Sequence, residues 1–390
     1  MVETADVVVV GAGVHGTSIA FHLARRGARV VVLERGTIAG GATGRSSGLV
    51  RMHYALESEA RVAFASLPYF RDWAEIVGAG DCGFVRTGFL VLVPPAHVDL
   101  LRANVEMLRQ IGVDTHVVGP REAADLFPGL AVDDVVAAAH EPLSGYADPA
   151  GTASGFLAAA RERGARLVQG CRVTAIRTEG GRVVGVDSDR GRFDAPVVVD
   201  AAGAWAAEVA ALAGVEVPVR AWRHDTAYFG LPTGRSAAFP VVIDHANQVY
   251  FRPEGAELML VGLEIGNEIG GSPDRPETGL SEVSLEEMVT RVCARIPWMA
   301  DGEVRASHGG QDGITPDQHA VIGAAGPDGF VLDCGHSGTG FKIAPAVGAA
   351  VSEIILDGAA RTVDVSDFRP SRFDEGWTPV GDHDYGPFWS

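Results

Sequence analysis

The run Asp6-Val7-Val8-Val9-Val10, followed at once by Gly11-Ala12-Gly13-Val14-His15-Gly16, restricts this chain more than any other feature. A short unbroken apolar run ending in glycines is the pattern of a strand covered on both faces of a parallel sheet. Thr17 to Arg26 then carries Ile19, Ala20, Leu23 and Ala24 at helical spacing, and a second run, Arg29 to Leu33, ends in Glu34, 18 residues beyond Gly16. Strand, glycine turn, helix, strand and terminal acid make a complete βαβ unit for a dinucleotide. Gly11 permits the tight turn, Gly13 lets a pyrophosphate approach the backbone, and Gly16 lets helix and strand pack closely. Free N–H groups at the helix start face the phosphates. Glu34 accepts hydrogen bonds from a ribose, and its charge disfavours a 2′-phosphate. GxGxxG alone is weak evidence, since such a turn can simply pack; the completed unit carries the assignment.

At 390 residues the chain has room for two or three domains. With 47% hydrophobic and 21% charged residues it folds, and a formal net charge of −18 without any basic run argues against nucleic-acid partners. Cys82, Cys171, Cys293 and Cys334 lie far apart with no metal-ligand spacing, so no metal site is expected. The reading is of a soluble, cytoplasmic protein: Met1 to Val10 enters a strand directly, and no apolar stretch is long enough to span a membrane. One count stands out. Among 32 basic residues the only lysine is Lys342. Genomic base composition accounts for the arginine excess, but an ammonium that persists does what guanidinium cannot, because it can lose its proton and fit a compact site.

The loop after Glu34-Arg35 is made of small residues, Gly40-Gly41-Ala42-Thr43-Gly44-Arg45-Ser46-Ser47-Gly48, instead of a third strand, and can lie along an extended cofactor. Pro196 to Ala202 is a second buried-strand run, turned by Gly203-Ala204-Trp205 into an alanine-rich helix, where the interrupted dinucleotide fold resumes.

These segments, with Gly145 to Pro149, VYFRPEG at 249–255, ITPDQHAVIG at 314–323 and GHSGTGFKIAPAVG at 335–348, resemble the D-amino-acid oxidase and sarcosine oxidase superfamily of FAD-dependent amine oxidoreductases. The resemblance runs in order through nearly the whole chain. It implies an α/β fold: a discontinuous FAD-binding, Rossmann-like domain of the glutathione-reductase type (1–83, 146–219 and 303–390) with a mixed antiparallel-sheet α+β substrate domain (84–145 and 220–302). It implies cofactor contacts from Gly11, Gly13, His15, Gly16, Glu34 and Arg35, then from Thr43, Gly44, Arg45, Ser46 and Ser47. Val173, Ala202, Gly203, Trp205 and Gly310 follow, and last Gly338, Thr339, Gly340, Phe341 and Lys342 at the flavin-facing helix start. A helix amino end favours the charge that builds on reduced flavin. Arg51 falls where relatives grip the substrate carboxylate, Lys342 where they contact the same group, and Tyr250 where a tyrosine lines the substrate cavity. Glu264 replaces a histidine of some relatives, and reads equally as a carboxylate that attracts a cationic amine or as a surface acid at a strand end.

Two departures from the pattern matter. The positions where some relatives attach FAD covalently are Gly310 and Arg45 here, so non-covalent FAD is expected. The position of a lysine that promotes reaction with oxygen reads Leu260, which leaves oxygen or another acceptor open. The resulting expectation is an enzyme that oxidises the C–N bond of a small carboxylate-bearing amine, foremost an N-methyl amino acid, by hydride transfer to flavin N5 and imine hydrolysis. The alternatives are a D-amino acid dehydrogenase or oxidase, a hydroxy-acid-oxidising member, and a partner-dependent flavoprotein subunit of a heteromeric complex. The tail 363–390 receives no assignment.

Overall fold

The computed structural model describes residues 2–275 and 279–386. Val7–Val10 is a central strand of a six-stranded sheet, flanked in parallel by Val30–Glu34 and Val197–Asp200. Arg166–Gln169 and Phe330–Cys334 extend it on either side in parallel, and Val321–Ala324 closes one edge antiparallel. The valine run is continuous because alternate residues feed different cores. Val7, Val9, Val30 and Val32 join the core built with the helices Val14–Arg25, Pro149–Glu162 and Gly340–Asp357. Val8, Val10, Val31 and Leu33 face the opposite way, onto Ile176, Val186 and Phe193 of a four-stranded sheet. The fold is the expected α/β class, with the dinucleotide half resuming at Val197–Asp200.

A separate eight-stranded sheet forms from the segments between these elements. It is antiparallel throughout except where Phe89–Leu92 runs parallel to Val241–Asp244. Helix Glu282–Arg295 covers one face, with Met288 and Val292 packed against Phe251 and Val261 in its core. Strand Glu303–Ile314 pairs along its length with Arg220–Gly230 and so belongs to this second sheet, although the sequence division places 303 onward with the cofactor domain. Strand pairing is non-local and leaves no mark on a boundary read from composition.

The tail has a defined course up to residue 386; 387–390, and 276–278 of the inserted segment, lie outside the described residues. Arg372 is fully buried and donates to Asp317, Phe368 and His319, while Tyr385 is buried against the second sheet. Among the described residues no helix is long and apolar enough to cross a membrane.

Candidate functional site

The glycines of the first turn are fixed by close approach. Gly11 has φ +108°, and a Cβ there would lie 2.4 Å from the Ala201 carbonyl oxygen; at Gly16 it would lie 2.1 Å from the Gly11 oxygen. The Val14–Arg25 helix has no side-chain cap at its Gly13 N-cap position, and Thr43 Oγ1 accepts from Val14 N at 3.0 Å. The remaining N–H groups of the first turn are left for an anion. Glu34 accepts from Ala12 N at 2.8 Å and from Gly36 N at 2.6 Å, which locks the carboxylate at the strand end. Each of its oxygens retains a lone pair for a ribose hydroxyl.

A cavity of about 580 Å³ runs from this turn to the second sheet. Its first end is an apolar slot between Leu33, Cys171, Val209 and Leu212, edged by Arg35 stacked 4.0 Å over the Trp205 ring. Its far end is formed by Arg51, Tyr250, Lys342 and Ile243. Its wall also includes Gly13, His15, Thr43, Arg45, Ser46, Ser47, Val173, Ala202, Gly203, Gly310, Gly338, Gly340 and Phe341. Of the expected cofactor contacts, Gly16 and Gly44 sit behind this wall as packing glycines. Thr339 faces an adjoining chamber.

The far end gathers two cations on one ring. The Arg51 guanidinium lies 4.3 Å over the Tyr54 ring and Lys342 Nζ lies 5.5 Å from the same ring centre. Lys342 is buried, and its nearest acceptor is the Thr339 carbonyl at 3.4 Å. Burial, and then the Arg51 charge, hold its ammonium well below the usual lysine range, although Glu59 and Asp312 pull the other way. Arg51 donates to the His53 carbonyl and its Nε has no partner. A buried ammonium beside a guanidinium carrying an unpaired donor makes this end of the cavity suited to an anionic group such as a carboxylate.

Tyr250 projects into the cavity because its cross-strand neighbour is Gly262; a Cβ there would land 2.1 Å from the tyrosine Cζ. Burial pushes the Tyr250 hydroxyl up to about 12, so it stays protonated as a donor. The Gly340–Asp357 helix starts without a side-chain cap, and its first residues line the cavity. Its positive dipole end faces whatever lies there. Asp312 accepts from Gly338 N at 2.9 Å and fixes the preceding loop.

Glu264 does not reach this cavity. It lines the adjoining chamber and is 2.9 Å from His245 Nδ1. Leu260 is buried in the second sheet's core, away from the cavity wall. Tyr54, under the two cations, and Ile243, Asp312 and Asp333, on the cavity wall, carry no pattern in the sequence; His224 and His336 line the cavity as well. His15, Asp333 and His336 form the one group among the described residues whose donor atoms could converge on a metal. His15 Nδ1 is 3.0 Å from one Asp333 oxygen and His336 Nε2 is 3.2 Å from the other, with the imidazoles stacked at 3.6 Å. Burial pushes the Asp333 carboxyl up, but the two imidazoles outweigh it and keep it well below the usual carboxylate range. Only the His15 contact is a hydrogen bond; His336 Nε2 and Asp333 Oδ1 face each other without one.

An elongated cavity with a glycine turn, a fixed carboxylate at a strand end and an apolar slot at one end, and a helix amino end at the other, fits FAD. Residues 6–354 match the family model described as FAD dependent oxidoreductase. The human mitochondrial sarcosine dehydrogenase is 31% identical over 91% of this chain, which spans only 40% of that relative's length. Sarcosine oxidase subunit beta of Rhodobacter capsulatus is 26% identical over 95% of this chain and 89% of its own. Among solved structures, L-proline dehydrogenase from P. horikoshii superposes with a TM-score of 0.90 at 29% identity, covering 97% of this chain and 100% of that one. Glycine oxidase from Geobacillus kaustophilus gives 0.83 at 25% identity, over 95% and 99%.

Proposed function

Since the chain belongs to the FAD dependent oxidoreductase family, we propose that it oxidises the C–N bond of a small amino or imino acid, foremost a secondary amine such as an N-methyl amino acid. FAD, when bound, supplies the two-electron acceptor. Gly11, Gly13, Glu34 and the 43–47 loop would hold its dinucleotide half, and the amino end of Gly340–Asp357 would face its ring. With glycine and arginine at the two attachment positions, 310 and 45, the cofactor is held without a covalent bond. The observation that carries the reading is the pair Arg51 and Lys342 on the Tyr54 ring, at the end of the cavity opposite the dinucleotide turn.

These two cations orient the carboxylate, while Tyr250 and Ile243 wall the amine and exclude bulk water. A neutral amine keeps a lone pair to assist loss of the α-hydrogen, and the imino product is hydrolysed by water. No side-chain base is required. The division of labour between a cofactor half and a sheet that roofs it is part of the same proposal. The relatives whose names include sarcosine, proline and glycine support the substrate class.

Anaerobic mixing of the purified holoprotein with a panel of N-methyl amino acids, proline, D-amino acids and hydroxy acids tests it. Bleaching of the flavin band fastest by the N-methyl acids or proline is expected; bleaching by hydroxy acids alone overturns it. A second reading has its own observation, the near end-to-end match to proteins named as a subunit beta. On that reading the chain works within a heteromer, and native mass measurement from its own host would show a defined complex.

A further inference from the structure

A second chamber, of about 310 Å³, lies on the other side of Arg51 and Ile243, the two residues it shares with the cofactor cavity. The tail segment from Gly381 to Gly386 roofs it. That roof is tied down: Asn104 donates to the His383 carbonyl at 2.9 Å, the Tyr385 hydroxyl is 2.8 Å from His53 Nε2, and a Cβ on Gly381 would lie 2.4 Å from the Ala55 oxygen.

The chamber walls carry buried polar atoms without partners. Glu264 is 1% exposed and its Oε1 has no hydrogen bond; His53 is 4% exposed with Nδ1 in the same condition; Tyr54 Oη and Arg51 Nε complete the set. Native interiors seldom leave several such atoms around one space, so a polar guest is called for. The charges decide its sign. Glu59, Glu264, Asp317 and Asp384 face the chamber, whereas Arg51 is the one arginine on its wall, and Arg372 binds Asp317 from behind. His319 and His245 sit 3.0 Å and 2.9 Å from Glu59 and Glu264. With the substrate carboxylate on Arg51, the remaining field favours a cation.

We propose that this chamber receives the far end of the substrate, and that it selects an amino acid bearing a second, cationic amine, with Glu264 Oε1 as its acceptor. The inference rests on the reading of the cofactor cavity as the site of amino acid oxidation. An arm that leaves the reacting carbon beside Arg51 passes Ile243 and ends between Glu264, His53 and Tyr54. Glu264 is thereby a specificity residue set apart from the reacting atoms.

The test compares N-methylornithine with its uncharged isostere N-methylnorleucine, using sarcosine as the substrate without an arm, in anaerobic bleaching of the holoprotein. Half-saturation about tenfold or more lower for N-methylornithine is expected, with the preference falling to within about threefold in Glu264→Gln. Propylammonium should compete with N-methylornithine and leave sarcosine half-saturation unchanged, a measurement that needs no variant. Equal half-saturation for the two isosteres in the wild type, or a preference that survives Glu264→Gln, overturns the proposal. Bleaching by sarcosine with no such preference sinks the chamber alone. Calorimetric binding of N-methylornithine with no bleaching by any amine sinks the redox reading and leaves the chamber standing.

Discussion

Lys342 is costly to keep. An ammonium buried among Arg51, Tyr54 and the first helical turn has lost its water and gained a neighbouring like charge, and in return it has one long hydrogen bond to a carbonyl. On the proposed function, the substrate carboxylate supplies the close anion that stabilises such a group. Lys342→Met should therefore lower kcat/KM about 10- to 100-fold, the loss of one charge-assisted hydrogen bond, while FAD content per chain stays at the wild-type value. Unchanged turnover would remove Lys342 from the site. The direction of its shift also sets a proton balance. Because folding depresses the lysine below its ordinary value, a carboxylate that binds beside it draws it back up, so any proton exchanged on binding at this group is taken up and none is released. Carboxylate affinity then falls as pH rises through the lysine's value in the complex. Calorimetry of an unreactive carboxylate in buffers of different ionisation heats reads this directly; proton release on binding would contradict it. Lys342 was legible as the single lysine in an arginine-rich chain. Tyr54, which organises both cations, was not, because a tyrosine three residues after an arginine carries no pattern.

At the scale of elements, the opening strand and its glycine turn were legible because both faces of the strand are buried and the turn tolerates no Cβ. Gly16→Ala would drive a methyl group to 2.1 Å from the Gly11 carbonyl and pry the helix from the strand. We expect a loss of about 2–3 kcal/mol in stability and of most bound FAD, seen together in thermal unfolding and in the flavin absorbance of the purified protein. Gly262→Ala acts elsewhere, displacing the Tyr250 ring; FAD content should hold while turnover drops. Retained turnover in that variant would separate Tyr250 from the substrate. The late loop and helix at 335–348 were legible through glycine spacing and family resemblance together. Gly262 went unread because its meaning lies in the tyrosine across the ladder, and the pairing of Glu303–Ile314 with Arg220–Gly230 went unread because register is invisible in composition.

The whole molecule places a mostly parallel sheet and a mostly antiparallel one so that a single cavity runs from the glycine turn to Tyr250. His22 and His53, from opposite parts of this architecture, are both buried and held neutral down to about 3, by desolvation first and nearby arginines second. The unfolded chain protonates them near their ordinary value and the folded chain does not, so stability is lost as pH falls from about 6.5 toward 3, by at most about 2.7 kcal/mol per pH unit for the pair. Melting temperatures that stay level from pH 6.5 to about 4.5 would contradict this. Non-covalent attachment belongs to this scale too: acid precipitation should leave all of the flavin in the supernatant, and a yellow pellet would refute it. The most direct test of the central claim is a crystal structure of the holoprotein soaked with N,N,N-trimethylglycine, a carboxylate whose nitrogen has no lone pair and so is not oxidised. The flavin ring should lie between the 43–51 loop and the amino end of Gly340–Asp357, with the ligand carboxylate on Arg51 and Lys342. A ring placed elsewhere, or a carboxylate bound away from both cations, would contradict the account.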